Sequence, residues 1–156
     1  MPFLHLGCVD IPYGARRVGK LRKGNKPPVS PLTTGDVAEI LEAKYHVLEI
    51  FWMLKQKKIA KELENSVRGA LESLMLGAPG NIDPFGGATS KIDEMLKEFL
   101  TNREMEKVGY MGVPTKAALK GINHRLLHPY AKANKRRPSF IDTAQYQASL
   151  KSWITK

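Results

Sequence analysis

The pattern of apolar and polar positions is clearest between residues 34 and 76, where it has the period of an α-helix. Apolar residues recur there at spacings of three, four and seven, at Val37, Ile40, Leu41, Leu48, Phe51 or Trp52, Ile59, Leu63, Val67, Ala70, Leu71 and Leu74. This spacing places side chains on one face of a helix and predicts a buried stripe. Because no other stretch offers as much apolar surface, we expect the remaining elements to pack on this one.

Turn signals delimit this stretch at both ends. The run Thr33–Asp36 is typical of a helix start, and Glu39 follows Asp36 at the spacing of a capping box. Gly77 suits a left-handed cap at the other end, and Pro79 cannot continue a helix. The charged run at residues 55–58 interrupts the apolar pattern. We therefore predict a helix pair, or one long helix with a break near residues 55–58.

Two more helices are predicted in the second half of the chain. The third runs from Thr89 or Ser90, with Ser90 as its cap, to about Lys107. Its buried stripe consists of Ile92, Met95, Leu96, Phe99 and Leu100. A shorter fourth helix follows the run 113–115 and stops at Pro129.

The last segment fits a short helix, and a strand stays open as the alternative. Asp142 is a suitable helix cap, and the apolar residues after it lie on one helical face. These are Tyr146, Leu150, Trp153 and Ile154. The alternation of residues 149–153 fits a strand less well.

The first 33 residues have a different composition. Five prolines and four glycines within residues 1–33 exclude a long helix, so we predict an extended arm there. The apolar start at residues 3–9 is compatible with a short strand. The predicted fold class is mainly α: about four helices form a core, preceded by the arm and followed by the short C-terminal helix or strand. Residues 1–33 form the basic arm, and residues 34–156 form the helical domain with a basic C-terminal segment.

The net charge of +10 is unusual for 156 residues and is unevenly distributed. Residues 1–33 carry +5 and residues 113–156 carry +8, whereas residues 34–78 carry −1 and residues 79–112 carry −2. Two positive ends around a near-neutral middle attract nucleic acid, an anionic surface or an acidic protein.

Three roles are compatible with the basic run at residues 16–26. It suits an arm that lies in nucleic acid, a segment that becomes ordered against a partner subunit, or a solvated tail. The apolar residues before it argue against a simple tail, and we favour an arm that docks on a neighbouring chain.

The sequence shows no grouping typical of a catalytic or metal site. Cys8 is the single cysteine, which excludes an internal disulfide. His124 and His128 have the spacing of two ligands on one helix, but their cationic surroundings offer no convincing further ligand. No serine lies in a nucleophile elbow, and the helical carboxylates alternate with lysines as on a solvated face. We therefore predict no enzyme, no cofactor, no metal and no membrane segment.

The C-terminal third carries a more specific signal. The stretch 113–121 is followed by a longer phrase at 136–150, within which Ile141, Thr143, Tyr146, Ser149 and Leu150 stand out. This phrase resembles the ending of small structural proteins of tailed bacteriophages, the group of virion-morphogenesis, neck and tail-completion proteins. In that group the phrase reads apolar, Asp or another residue, Thr, Gly, any residue, apolar, two of any residue, Ser, apolar. Ala144 stands where the family has Gly.

The resemblance implies a non-enzymatic structural component of the virion that joins or completes the tail at the neck or the baseplate. It implies a ring of copies of this chain, expected to be a hexamer, that contacts tail tube, sheath, connector or baseplate subunits. The protein would assemble in the cytoplasm of the host bacterium and reside in the virion.

From the arm, the charge and this resemblance together we predict a set of partner-binding residues in the two basic ends. They are Phe3, Leu4, Leu6, Arg16, Arg17, Lys20, Arg22, Lys23, Lys135, Arg136 and Arg137. The basic ends also make contact with DNA conceivable. The alternative function is that of a basic DNA-binding accessory or regulatory protein.

Overall fold

The computed structural model of the protein describes residues 1–13, 32–78, 83–122, 135–141 and 144–155. Its elements are, in chain order, β1 (Phe3–Cys8), α1 (Thr34–Tyr45), α2 (Val47–Met75), α3 (Gly86–Thr101), α4 (Glu104–Lys107), α5 (Lys116–Leu119), α6 (Gln145–Ser149) and β2 (Leu150–Thr155). The prediction of a mainly α fold is confirmed, with a two-stranded antiparallel sheet in addition. Among the described residues, three long helices and three of about one turn stand where four helices were predicted.

Helix α1 begins at a capping box, but not at the one predicted. The Thr33 side chain accepts a hydrogen bond from the Asp36 N–H, and the Asp36 carboxylate accepts one from the Thr33 N–H. Asp36 is thus the third residue of the box, and Glu39 has no part in it. Asp10 adds a second carboxylate, which accepts a hydrogen bond from the Gly35 N–H at 2.9 Å. Two carboxylates therefore satisfy donors that the first helical turn leaves unpaired.

The break between the first two helices lies at His46, about ten residues before the predicted position. His46 adopts a left-handed backbone conformation, with φ 52° and ψ 46°. The Glu42 carboxylate crosses the break and accepts hydrogen bonds from the N–H groups of Leu48 and Glu49 at 2.8 and 3.1 Å. It therefore caps α2 from the preceding helix. The charged run at 55–58 stays helical because Lys55 pairs with Glu104 at 2.5 Å and the other three residues face solvent.

Helix α3 lies antiparallel to α2 and forms the centre of the core with it. Lys91 pairs with Glu62 at one end of the contact, and the rings of Phe51 and Phe99 lie 5.5 Å apart, edge to face, at the other. Ile59 is buried between them. The predicted apolar stripe of the third helix is confirmed, since four of its members are buried and the fifth is half-buried.

The predicted ends of the third helix were wrong. It begins at Gly86 rather than at Ser90, whose hydroxyl instead donates to the Gly86 carbonyl. It ends at Thr101 because Arg103 takes a left-handed conformation, with φ 55°, and residues 104–107 form the separate helix α4.

Strands β1 and β2 join the two ends of the chain. They pair antiparallel, with Phe3 opposite Thr155 and Cys8 opposite Leu150. The buried carboxylate of Asp93 on α3 accepts hydrogen bonds from the N–H and the hydroxyl of Ser152, at 2.6 and 2.8 Å. These bonds hold the sheet against the helical body.

The prediction of an extended arm over residues 1–33 requires correction for its first part. Residues 3–8 form a strand within the same chain, and Leu4 and Leu6 pack against the core. The Thr34 hydroxyl then donates to the Val9 carbonyl at 2.6 Å. The C-terminal strand supplies the pairing surface that the sequence analysis assigned to a neighbouring chain. Residues 14–31 lie outside the described part.

The short elements of the second half agree with the predictions only in part. Helix α5 follows the run 113–115 as predicted, and Thr115 caps it, because the Thr115 hydroxyl accepts a hydrogen bond from the Ala118 N–H. The described helix there covers only Lys116–Leu119, and residues 123–134 are outside the described ranges, as is the predicted cap Asp142. The C-terminal segment is a helical turn followed by a strand rather than one or the other. Over the described ranges, no helix has the length and apolar character needed to cross a membrane.

Candidate docking surface on helix α2

The C-terminal end of α2 extends beyond the helix that packs on it. The Ser66 hydroxyl donates to the Pro84 carbonyl at 2.7 Å, just before α3 begins. Residues 67–76 continue past this point by about 15 Å, at ~1.5 Å per residue. Every one of these residues except the half-buried Ala70 is exposed, including Leu71 at 57% and Met75 at 80%. The sequence analysis placed Val67, Leu71 and Leu74 in the core, and that assignment was wrong.

Four of the exposed apolar residues of α2 recur at a spacing of seven, whereas Trp52, Leu54 and Met75 are exposed outside this repeat. Met53, Ala60, Val67 and Leu74 are spaced by seven, and Leu71 follows Val67 by four. All five are exposed and lie along one side of the helix. We call these five residues the α2 stripe. From its first to its last member it is about 32 Å long. Apolar residues that recur every seven positions are typical of a helix that packs along another helix.

The core and the stripe occupy neighbouring faces of α2, which explains why the sequence merged them. Ile59 is fully buried and Leu63 is half-buried against α3, whereas Ala60 and Val67 are exposed. Successive helical residues are rotated by about 100°. Residues 60 and 67 therefore lie roughly a quarter turn away from residues 59 and 63. In the sequence, the apolar residues that recur every seven positions were the signal that α2 has a second apolar face.

The two halves of α2 carry opposite charge. The first half, residues 47–61, has a net charge of +3 from Lys55, Lys57, Lys58 and Lys61 against Glu49. The second half, residues 62–76, has a net charge of −2 from Glu62, Glu64 and Glu72 against Arg68. Charges beside an apolar helical face determine which partner fits and in which orientation.

The exposed end of α2 has its own terminal hydrogen bonds. Gly77 takes a left-handed conformation, with φ 81°, and its N–H donates to the Leu74 carbonyl. The Ala78 N–H donates to the Ser73 carbonyl at 3.0 Å. The predicted Gly77 cap is confirmed. These two bonds cap the C-terminal end of α2 with groups of the same segment.

The predicted partner-binding residues of the N-terminal end lie in two regions. Phe3, Leu4 and Leu6 belong to β1, where Phe3 is 62% exposed and the two leucines are half-buried. The five basic residues of the arm, Arg16, Arg17, Lys20, Arg22 and Lys23, fall outside the described residues. Their role in binding stays a prediction.

The predicted C-terminal cations differ in burial and in partner: Lys135 and Arg136 are exposed, whereas Arg137 is half-buried. The Arg136 guanidinium pairs with the Glu106 carboxylate. Arg137 is half-buried, and its guanidinium donates to the carbonyls of Ile122 and Ile141. Two of the three cations therefore bind groups of the chain itself.

Glu106 is the acceptor in this C-terminal network. Its side chain is 6% exposed and accepts hydrogen bonds from the Ser139 N–H at 3.1 Å and from the Ser139 hydroxyl at 2.9 Å. Burial raises the pKa of this carboxyl, but the bonds from Ser139 and the charge of Arg136 outweigh it, and the pKa lies below its ordinary value. The network fixes the segment after residue 134 against α4.

An exposed aromatic pair lies on the outer face of the sheet. The rings of His5 and Trp153 stack with centroids 5.5 Å apart, and Trp153 is 45% exposed. Trp153 lies so close to Gly7 that a Cβ there would come within 2.8 Å of its ring. Glycine therefore allows the indole to lie flat on the strand.

The group that most resembles a metal site lies at the α1–α2 junction. Ligand atoms of Glu42, His46 and Glu49 lie within 4.8 Å of one another, and His46 Nδ1 is 2.8 Å from a Glu49 oxygen. Both Glu42 oxygens already accept N–H groups of α2, so the group has a structural role as a helix cap. The histidines considered from the sequence, His124 and His128, are outside the described residues.

A surface depression lies beside α4. It has a volume of about 730 Å³ and is lined by Leu54, Asn102, Glu104, Lys107 and Val108. Its carboxylate, Glu104, pairs with Lys55. The depression therefore borders the first half of α2 through Leu54.

Comparison of the chain with protein-family models, with curated proteins and with solved structures gave no match. The fold itself defines a mainly helical protein whose two chain ends meet in a small antiparallel sheet. The α2 stripe exposes five apolar residues along one side of a helix, and exposed apolar surfaces of this kind can bind another macromolecule.

Proposed function

We propose that this chain is a structural subunit that acts by docking on other protein subunits, as a component of a tailed-phage virion that joins or completes the tail. The observation that carries the docking role is the α2 stripe on a helix end that no described element of the chain covers. Val67, Leu71 and Leu74 lie on consecutive turns at this helix end, and large exposed apolar patches on soluble proteins mark interaction sites.

The virion assignment is supported by the conformation of the C-terminal phrase. Ala144 stands where the phage group has glycine, and it adopts a left-handed conformation with φ 59° and ψ −2°. Glycine takes this conformation at the lowest cost. Of the three apolar positions of the phrase, Tyr146 and Leu150 are buried and Ile141 is half-buried. The backbone at residue 144 thus has the geometry that a glycine in the family phrase would serve.

The proposed assembly is a ring of copies, expected to be a hexamer, that contacts tail tube, sheath, connector or baseplate subunits. The exposed Phe3 and Lys135 and the basic run 16–26 are the proposed contact points outside α2. In a ring, each subunit presents one surface to its neighbour and a different surface to the next.

Particle composition tests this function. We expect the protein to co-purify with complete virions from an infected bacterial culture, and particles made without it to lack joined or completed tails in electron micrographs. Val67→Asp combined with Leu71→Glu should reproduce the defect, whereas Met111→Asp, which changes an exposed methionine elsewhere, should not. Complete, infectious particles that form without the protein would contradict the proposal.

The second candidate is a DNA-binding accessory or regulatory protein, and the charge of +10 with its two basic ends favours it. This function predicts duplex affinity whose logarithm falls linearly with the logarithm of salt concentration. Reversing the charges of Arg16, Arg17, Arg22 and Lys23 should then abolish binding. If the arm instead docks on a neighbouring subunit, the same charge reversals should weaken assembly without abolishing it.

A further inference from the structure

The charges beside the α2 stripe identify which surface fits it. We propose that two copies of this chain pair through their α2 stripes, with the helices antiparallel about a twofold axis near residues 63 and 64. This inference rests on the proposed docking role, because it names the first partner of that surface.

Four of the five positions of the stripe are symmetric about this axis, and the fifth, Leu71, lies opposite Gln56. Residues 53 and 74 lie equally far from its centre, as do residues 60 and 67. In an antiparallel pair, Met53 of each copy therefore lies opposite Leu74 of the other, and Ala60 lies opposite Val67. Such mutual exchange is the defining property of a twofold contact. The larger residues at the two ends face each other across small residues near the axis, so the helices can approach closely.

The charge pattern favours the antiparallel orientation over the parallel one. In the antiparallel pair, the half of α2 with a net charge of +3 lies along the half with −2, at both ends of the contact. Lys57 and Glu72 of the second copy form one pair of opposite charge in this arrangement, and Lys61 and Glu64 form another, each displaced along the axis by about 3 Å. A parallel pair would place like halves together, which costs free energy.

The extended end of α2 has the length that this contact requires. Residues 67–76 of one copy would lie along residues 51–60 of the other, beside the exposed Met53. Residues 67–76 would then pack against α2 of the second copy, since α3 of their own copy does not extend along them. Each copy thus covers the uncovered helix end of the other.

Association of the purified full-length chain tests the apolar part of this proposal. We expect sedimentation equilibrium to show a concentration-dependent dimer. Val67→Asp with Leu71→Glu should raise its dissociation constant at least tenfold without lowering the thermal midpoint of the monomer, since both residues are exposed. Met111→Asp is the matched control and should leave the dimer unchanged. A chain that is monomeric at every attainable concentration, or a dimer that tolerates the double substitution, overturns the proposal.

Charge exchange tests the orientation. The variant Lys57→Glu with Lys61→Glu should not pair with itself, because both halves of its α2 are then acidic. The variant Glu64→Lys with Glu72→Lys should fail in the same way, because both halves are then basic. An equimolar mixture of the two variants should form a one-to-one dimer. Self-pairing of either variant, or a mixture that stays monomeric, overturns the antiparallel arrangement.

The outcomes for self-pairing and for the virion role are separate. A purified chain that stays monomeric, yet enters particles in a manner that depends on Val67 and Leu71, refutes self-pairing and leaves the structural role intact. A chain that forms the twofold dimer but is absent from complete particles supports self-pairing and refutes the virion role.

Discussion

At the scale of single residues, backbone conformations outside the helical and extended regions determine where elements begin and end. His46 and Arg103, both left-handed, separate α1 from α2 and α3 from α4. Neither residue is a glycine, so each position carries a conformational cost that the surrounding contacts must offset. At His46, the Glu42 carboxylate contributes to this by capping the next helix.

Substitution of Ala144 measures the free-energy cost of a left-handed backbone conformation at a residue other than glycine. A left-handed alanine is disfavoured by about 1–2 kcal/mol, of which glycine regains part after its own entropy cost of about 0.5–1 kcal/mol. We expect Ala144→Gly to raise the free energy of unfolding by up to about 1 kcal/mol. Ala148→Gly, at an exposed helical position of α6, should lower it by about 0.5–1 kcal/mol. Urea titration of both variants checks this, and an equal loss in both would contradict the role of the left-handed conformation.

Glu106 predicts an acid-dependent part of the stability. Its folded-state pKa is lowered below the ordinary value of 4.5, so as pH falls the unfolded chain takes up this proton first. The stabilisation is therefore complete above about pH 4.5 and is lost as pH falls through the folded-state pKa.

Replacing this carboxylate should remove that part of the pH dependence. Glu106→Gln should cost about 1.5–3 kcal/mol at neutral pH, because charge-assisted bonds to Ser139 and Arg136 are weakened. It should also flatten the stability profile below pH 4.5. Thermal melts of both proteins between pH 3 and pH 7 (about the range that carboxyl titration spans) check it. Parallel profiles would show that another group causes the acid dependence.

At the scale of elements, α2 is a 29-residue helix that uses one face for the core and a neighbouring face for the stripe. Its second half has few tertiary partners in the described ranges, so intrinsic helix propensity matters more there than in the first half. Gly69 is the weak point of that half, because glycine disfavours a helix interior.

Gly69→Ala should strengthen the extended end of α2. A Cβ at residue 69 meets no atom within 4 Å, so alanine fits without a clash. We expect a gain of about 0.5–1 kcal/mol in unfolding free energy, and slower amide exchange in residues 67–76. Gly77→Ala, just after the end of α2, is the control. It should lower the unfolding free energy, because φ at residue 77 is 81°, a left-handed conformation that alanine disfavours. Unchanged amide exchange in Gly69→Ala would mean that helix propensity does not limit the stability of residues 67–76.

The helix predictions succeeded where local sequence decides and failed where packing decides. The start at Thr33, the cap at Gly77 and the buried stripe of α3 follow from local hydrogen bonding and periodicity, and all three are confirmed. The break at 55–58 was wrong because a run of lysines stays helical when its side chains reach solvent or an acid such as Glu104. The exposed stripe was missed because periodicity alone does not tell how many faces of a helix are covered.

At the scale of the whole molecule, the two ends of the chain close the fold together. Strand β1 has its only described strand partner in β2, and Asp93 on α3 ties β2 to the body. The N-terminal residues are thus part of the folded domain, although composition suggested that they extend away from it.

Removing residues 1–9 distinguishes these two descriptions. The deletion takes away the pairing with β2, the packing of Leu4 and Leu6, and the bond from Thr34 to Val9. We expect the thermal midpoint to fall by about 5–10 °C, as a loss of roughly 2–4 kcal/mol would produce in a domain of this size. Phe3→Ala, at an exposed position, should change it by much less. A midpoint unchanged by the deletion would show that this segment does behave as a free arm.

The sequence by itself determined the mainly helical class, the C-terminal end of α2 and the inner face of α3, because caps and periodicity act over a few residues. Only the tertiary structure decided that β1 pairs with β2, that Arg137 is half-buried within the chain, and that Val67 and Leu71 are left exposed. These outcomes depend on contacts between residues far apart in the chain. Whether an apolar side chain is buried depends on what lies opposite to it, and its own neighbours in sequence do not carry that information.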